Sequence, residues 1–158
     1  MTKINLHANV ITYQEEIFNA IMMIAQVNPI DVMNSLHAEL NRRNVFKAGE
    51  GSGASGSFFF FSADNRFIIK TLRGNEKDIL LEMLNSFISH LVIQGGRSMI
   101  AKIFGLFTLK SKLFAPLDFI IMENVTRMDN KANHRVTFDL KGSIRHRKVN
   151  LKTRFWNK

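Results

Sequence analysis

The stretch Gly49–Thr71, GEGSGASGSFFFFSADNRFIIKT, constrains this chain more than any other. It opens as a Gly/Ser loop, runs through Phe58–Phe61, turns at Ala63-Asp64-Asn65 and ends on Phe67-Ile68-Ile69-Lys70. Two apolar runs flanking a cluster of turn formers predict a β-hairpin, Ser57–Ser62 against Arg66–Leu72. A strand apolar at every position needs cover on both faces, or one face must serve as a ligand wall.

The order of these parts suggests chemistry. Glycines let a backbone approach a bound phosphate with no Cβ in the way. Successive backbone N–H groups then form an anion-binding concavity. A lysine on the following strand adds a point charge, and an acid on the next helix holds that lysine in place. Lys70 follows an apolar lead-in that buries its stem. Glu76 is the first candidate for its partner, with Glu82 behind it. No Gly-Lys-Ser/Thr occurs, so the loop is not a Walker A loop. A Gly/Ser loop alone reads as a flexible linker. Loop, strand pair, lysine and acid-bearing helix in sequence favour a phosphate loop.

The flanking segments predict an α+β fold. Tyr13–Val27 carries Ile17, Ala20, Ile21, Ile24 and Ala25 at helical spacing, with Thr12 as N-cap and Glu15 completing a capping box. Asn28-Pro29 ends that helix. Asp31 caps a second one reaching about Arg43, with Val32, Leu36 and Leu40 on one face. Asn75–Val92 is the clearest helix, its apolar stripe including Ile79, Leu80, Met83, Leu84, Phe87, Ile88, Leu91 and Val92. Gly95-Gly96 stops it. Strands follow at about Met99–Thr108, Leu117–Glu123 and Val136–Leu140, joined by Lys110–Pro116 and Thr126–His134. The expected architecture is an antiparallel sheet with helices packed on one side.

Composition narrows the function. With 158 residues, 46% hydrophobic and 14 phenylalanines, the chain can fill the core of one domain. It holds no cysteine, which excludes disulfides and thiolate metal sites and suits a reducing interior. The N-terminus has no signal-peptide pattern, and no run of about 18 apolar residues exists to span a membrane. The +9 formal charge is concentrated at the end, where residues 141–158 carry seven Lys/Arg and no acid. Such a tail contacts anionic lipid, nucleotide or nucleic acid, or merely solubilises. RHRKVNLKTR could hold nucleic acid, but one tryptophan and one tyrosine offer few stacking platforms, so no nucleic-acid partner is expected. His134, His146, Asp129 and Asp139 lack metal-ligand spacing, and nothing pairs a nucleophile with a base.

GASGSFFFFSADNRFIIKT, AKIFGLF (Ala101–Phe107), IIMENV (Ile120–Val125) and FDLKGS (Phe138–Ser143) resemble the phosphatidylinositol phosphate kinase family, in the family's order, over roughly Ser35–Ser143. The resemblance implies the N-lobe of a kinase-like lipid kinase fold. It implies transfer of the ATP γ-phosphate to a phosphoinositide head group, with Mg²⁺, at the cytosolic face of membranes. By match to its motifs, Ser55, Gly56 and Ser57 belong to the phosphate-covering loop. Lys70 is the ATP-phosphate lysine, and Asp139 and Lys141 lie near the phosphate site. The expected organisation is a helical segment, 1–48, supporting the sheet, a nucleotide-binding N-lobe, 49–143, and a basic tail, 144–158.

The chain departs from the family after Ser143. Leu151-Lys152-Thr153 is at most a shifted form of the family's Leu-Lys-Asp segment. No Met-Asp-Tyr-Ser-Leu-Leu-like or Ile-Ile-Asp segment supplies a catalytic or Mg²⁺-holding Asp. These 158 residues are therefore expected to be inactive alone. The alternative is an inactive lobe that docks on anionic membranes or dimerises. An N-lobe alone also exposes apolar surface, with Phe58–Phe61 and IIMENV the expected places.

Overall fold

A computed structural model describes residues 8–45 and 57–127. The chain forms two units, Met1–Arg127 and Met128–Lys158, and every described residue lies in the first. The strand expected at Val136–Leu140 lies outside the described residues.

The elements run β1 (Ala8–Tyr13), α1 (Glu15–Ile24), α2 (Pro29–Ser35), α3 (Ala38–Val45), β2 (Phe59–Phe61), β3 (Phe67–Thr71), α4 (Glu76–Ile93), β4 (Ile103–Ser111) and β5 (Leu117–Glu123). The strands form one antiparallel sheet in the order β1-β4-β5-β3-β2. With helices packed on it, this is the α+β arrangement expected from the sequence.

Helix α4 buries Leu80, Leu84, Phe87 and Leu91, a stripe repeating every three to four residues. They meet Phe18 and Ile21 of α1, Phe67 of β3, Phe104 and Leu106 of β4 and Ile120 of β5 in one core. Each such side chain contributes roughly 1.5–3 kcal/mol on leaving water. The stripe is narrower than its apolar composition, since Ile79, Met83 and Val92 are exposed. At the helix end the Gly95 N–H reaches the Val92 carbonyl and the Gly96 N–H the Leu91 carbonyl. Gly95 has the positive φ that this double-bonded helix stop requires, and Gly96 is positive as well.

The N-terminal segment differs from expectation in three ways. Residues 8–13 are a strand, and Thr12 sits in it opposite Phe107 rather than capping a helix. Gln14 stands at the N-cap in a left-handed conformation, with no side-chain cap. Helix α1 ends before the proline, through Gln26 at φ 54° and the Val27 N–H to the Met22 carbonyl. Pro29 instead opens α2, capped by the Asn28 side chain accepting from the Ile30 N–H at 2.9 Å. The single helix expected from Asp31 to Arg43 is two. The buried Asn41 amide donates to the Ser35 and His37 carbonyls at 2.8 and 2.9 Å, which satisfies backbone acceptors across the break.

The β2–β3 hairpin forms where expected. β2 is the sheet's edge, however, and Phe58 and Phe61 are 41% and 42% exposed. Cover on both faces is thus not achieved among the described residues. β5 has the expected bounds, but β4 begins later and runs further than expected. Ser98 takes the Ile100 N–H and pairs with His90, which holds the segment before β4 as a loop. Pairing with β1 carries β4 on to Ser111.

Gly105 has a packing reason. A Cβ there would lie 2.5 Å from the Phe107 ring, which stacks on Phe119 at a centroid distance of 5.3 Å. Gly105→Ala is expected to displace that ring and lower stability by about 1–3 kcal/mol. A urea midpoint unchanged from the parent would contradict this account.

Candidate functional site

The site begins at a turn. Ser62 and Asp64 organise the hairpin connection, with the Ser62 hydroxyl donating to Asp64 Oδ1 at 2.6 Å and the Arg66 N–H to the same oxygen at 3.1 Å. Asp64 Oδ2 accepts from the Ser35 hydroxyl of α2 at 2.6 Å. Asn65 takes φ 57°, a conformation asparagine tolerates, and its carbonyl accepts from the Asn124 amide. Burial pushes the Asp64 carboxyl up, but hydrogen bonds from Ser35, Ser62 and Arg66 outweigh it and leave it below the usual range.

A turn held this way sets the register of β3. Phe59 lies opposite Lys70, and Lys70 opposite Ile120 of β5. The Phe58 N–H donates to the Thr71 hydroxyl at 2.8 Å, and the Thr71 N–H to the Phe58 carbonyl. The exit of the Gly/Ser loop, with Ser57 buried, is therefore fastened beside the residue that follows Lys70.

Lys70 Nζ stands 3.1 Å from Glu76 Oε1, and Glu76 Oε2 accepts the Arg73 N–H at 2.9 Å. The Arg73 N–H holds the Glu76 carboxyl below its usual value, with Lys70 adding to the effect against partial desolvation. The two side chains are 22% and 40% exposed. Solvent screening limits such a pair to about 1 kcal/mol or less, so it contributes position more than stability. Glu82 is exposed on the same helix.

A second clamp was not visible in the sequence. Lys77, next to Glu76, places Nζ 3.0 Å from Asp118 Oδ2 of β5. Asp118 Oδ1 takes a short hydrogen bond from the buried Thr108 hydroxyl, which also meets the Tyr13 hydroxyl at 2.9 Å. Burial raises the Asp118 carboxyl, but Thr108 and Lys77 together bring it below the usual range. The first turn of α4 is thus tied to β3 through Glu76 and to β5 through Lys77. The one available signal was a lone acid inside the apolar run LDFIIM.

These shifts make a pH statement. Asp64, Glu76 and Asp118 are all more acidic when folded, so each stabilises above its unfolded value and loses that contribution as pH falls through the folded one. The ordinary values are 4.5 for Glu76 and 3.8 for the two aspartates. The melting temperature is expected to fall steeply below about pH 4.5, with a shallower fall in Asp118→Asn. Equal slopes for the two proteins would remove Asp118 from the account.

Ser55, Gly56, Asp139 and Lys141 lie outside the described residues. Among the described residues no three His, Cys, Asp or Glu side chains cluster as a metal site, and no helix is long and apolar enough to cross a membrane. Both Glu76 oxygens are engaged, so the described surroundings of Lys70 do not fit a Mg²⁺ ion.

A strand lysine tied to a helix glutamate, beside the exit of a Gly/Ser loop, is an arrangement suited to phosphate handling. Comparison with known proteins agrees with the motifs. Residues 40–155 match the family model for phosphatidylinositol-4-phosphate 5-kinase. The chain belongs to that family. The match runs beyond Ser143, where the motif resemblance ends, and takes in most of the basic C-terminal stretch. A probable phosphatidylinositol phosphate kinase of Dictyostelium discoideum is 32% identical over 140 residues, 88% of this chain and 19% of the relative. Phosphatidylinositol 4-phosphate 5-kinase 9 of Arabidopsis thaliana is 34% identical over 131 residues, 83% of this chain and 15% of the relative. Phosphatidylinositol 4-phosphate 5-kinase its3 of Schizosaccharomyces pombe is 30% identical over 137 residues, 87% of this chain and 18% of the relative. The chain spans less than a fifth of the length of these relatives.

Proposed function

We propose that residues 49–143 form the nucleotide-binding lobe of a phosphatidylinositol phosphate kinase, supported by residues 1–48 and followed by a basic tail, 144–158. In this reading the backbone of Ser55, Gly56 and Ser57 and the Lys70 ammonium hold ATP phosphates. Glu76 keeps Lys70 extended toward them, and Asp139 and Lys141 lie close by. ATP supplies the phosphoryl group, and a phosphoinositide head group at a cytosolic membrane surface receives it. The observation that carries the reading is the Lys70–Glu76 pair beside the loop exit, at 3.1 Å.

The 158 residues hold no segment matching the family's catalytic or metal-holding aspartates, so turnover needs residues beyond them. ATP binding without turnover is the expected result on vesicles of phosphatidylinositol 4-phosphate or 5-phosphate. Turnover that disappears in Lys70→Ala would overturn the inactivity. Failure to bind ATP would overturn the nucleotide-binding reading itself.

A second reading has its own observation. Seven Lys/Arg with no acid in residues 141–158 suit an anionic membrane, each contributing on the order of 1 kcal/mol near the surface. Vesicle sedimentation that weakens at high salt supports that role, and salt-independent binding opposes it. Pairing of two copies through the N-lobe is a further part of this reading, checked by sedimentation equilibrium.

A further inference from the structure

The β4–β5 connection carries a surface that the fold does not need. Leu113 is 66% exposed and Phe114 40% in the loop that joins β4 to β5, and Leu117, the first residue of β5 opposite Leu109, is 38% exposed. Lys110, near the end of β4, and Lys112, in the loop itself, are both exposed. The Leu113 N–H closes on the Ser111 hydroxyl at 3.2 Å, so the turn has its own internal bond.

Charge indicates what such a tip meets. From Met83 to Leu117 there is no aspartate or glutamate, while Arg97, Lys102, Lys110 and Lys112 are present. The next acid, Asp118, is already occupied by Lys77 and Thr108. An apolar tip flanked by two lysines, in a stretch that carries no acid from Met83 to Leu117, complements an anionic bilayer. Leucine and phenylalanine enter the boundary between headgroups and acyl chains, and lysine stems reach back to the lipid phosphates.

We propose that the β4–β5 tip inserts into anionic membranes. Leu113, Phe114 and Leu117 enter the interface, and Lys110 and Lys112 engage the headgroups. This docking point lies within the described residues, is distinct in sequence from the basic C-terminal stretch and does not depend on nucleotide binding. The opposite end of β4 provides an internal comparison. Ile93, Met99 and Ile100 are also exposed there, but with Arg97 as the nearby cation of that loop.

The test uses the whole chain. It holds no cysteine, so Phe114→Cys accepts a single environment-sensitive fluorophore. With phosphatidylcholine vesicles containing phosphatidylserine, the label is expected to shift to the blue, and with phosphatidylcholine alone to stay unshifted. Lys110→Glu with Lys112→Glu, and separately Leu113→Glu, are expected to weaken vesicle partitioning by about tenfold or more. Leu113→Met is expected to restore it, and Met99→Glu to leave it unchanged. Thermal melts of the Leu113 variants, at an exposed position, are expected to match the parent. A chain that sediments with vesicles while the label stays unshifted docks by its tail or another face, which overturns the proposal. So does failure to sediment, a loss with Met99→Glu equal to that with Leu113→Glu, or a vesicle-free shift growing with protein concentration, which marks a second copy as the occupant.

Discussion

Asp64→Ala is expected to destabilise the folded unit by about 3 kcal/mol. The substitution removes an acceptor shared by three donors: the Ser35 hydroxyl, the Ser62 hydroxyl and the Arg66 N–H. Ser35 is 7% exposed and Ser62 0%. Asp64 itself is exposed, so water can take up part of what the carboxylate accepted, and each buried serine hydroxyl that it fails to reach costs roughly 1–3 kcal/mol. The Ser62 hydroxyl also accepts the Phe67 N–H at 3.0 Å, so its disturbance reaches the first residue of β3. Asp64→Asn keeps the shape and one oxygen acceptor, and about half the loss is expected. Urea midpoints at constant slope measure both effects. A loss below about 1 kcal/mol for the alanine variant would show that the turn does not need its carboxylate.

Lys70→Ala is expected to weaken ATP binding by roughly 10- to 100-fold, the range for losing one charge-assisted contact to phosphate. The fold should tolerate the change, because the lysine is partly exposed and its ion pair contributes little stability. Glu76→Gln leaves the ammonium in place but weakens its tether, and also the Arg73 N–H contact that Glu76 Oε2 accepts. A smaller loss of about three- to tenfold is expected. Competition against a fluorescent ATP analogue, run beside thermal melts, separates loss of binding from loss of fold. Equal affinity in parent and Lys70→Ala would exclude Lys70 as the phosphate contact.

The ordering of these two effects has a structural basis. Asp64 is the point where α2, the turn and β3 meet, and two of its donors are buried. Lys70 lies near the end of β3, with its side chain partly exposed, and water screens its partner. Stability is therefore most sensitive at the turn, and ligand affinity at the strand lysine.

Much of this was legible in the residues. The hairpin could be read from Ala63-Asp64-Asn65 between two apolar runs, because turn formers act through local hydrogen bonds and φ preferences. Helix α4 could be read from its stripe and from Gly95-Gly96. Glu76 could be named as partner to Lys70 because both flank a short turn, six positions apart. Strand β1 was not legible. ANVITY is short, and four of its six residues are exposed in the sheet, so its conformation rests on pairing with β4, some 95 positions away. The break between α2 and α3 was equally hidden, since it depends on where the Asn41 side chain reaches.

The sequence by itself determined the elements whose stabilising groups are neighbours in the chain: the hairpin, the long helix and its glycine stop. It also determined the family, through motifs in a set order. Only the tertiary structure decided the rest. It added an edge strand, left Phe58 and Phe61 partly in water, and clamped α4 at two points through Glu76 to Lys70 and Lys77 to Asp118. Those outcomes turn on contacts between distant residues, and a one-dimensional pattern carries no record of which distant partner a side chain will meet.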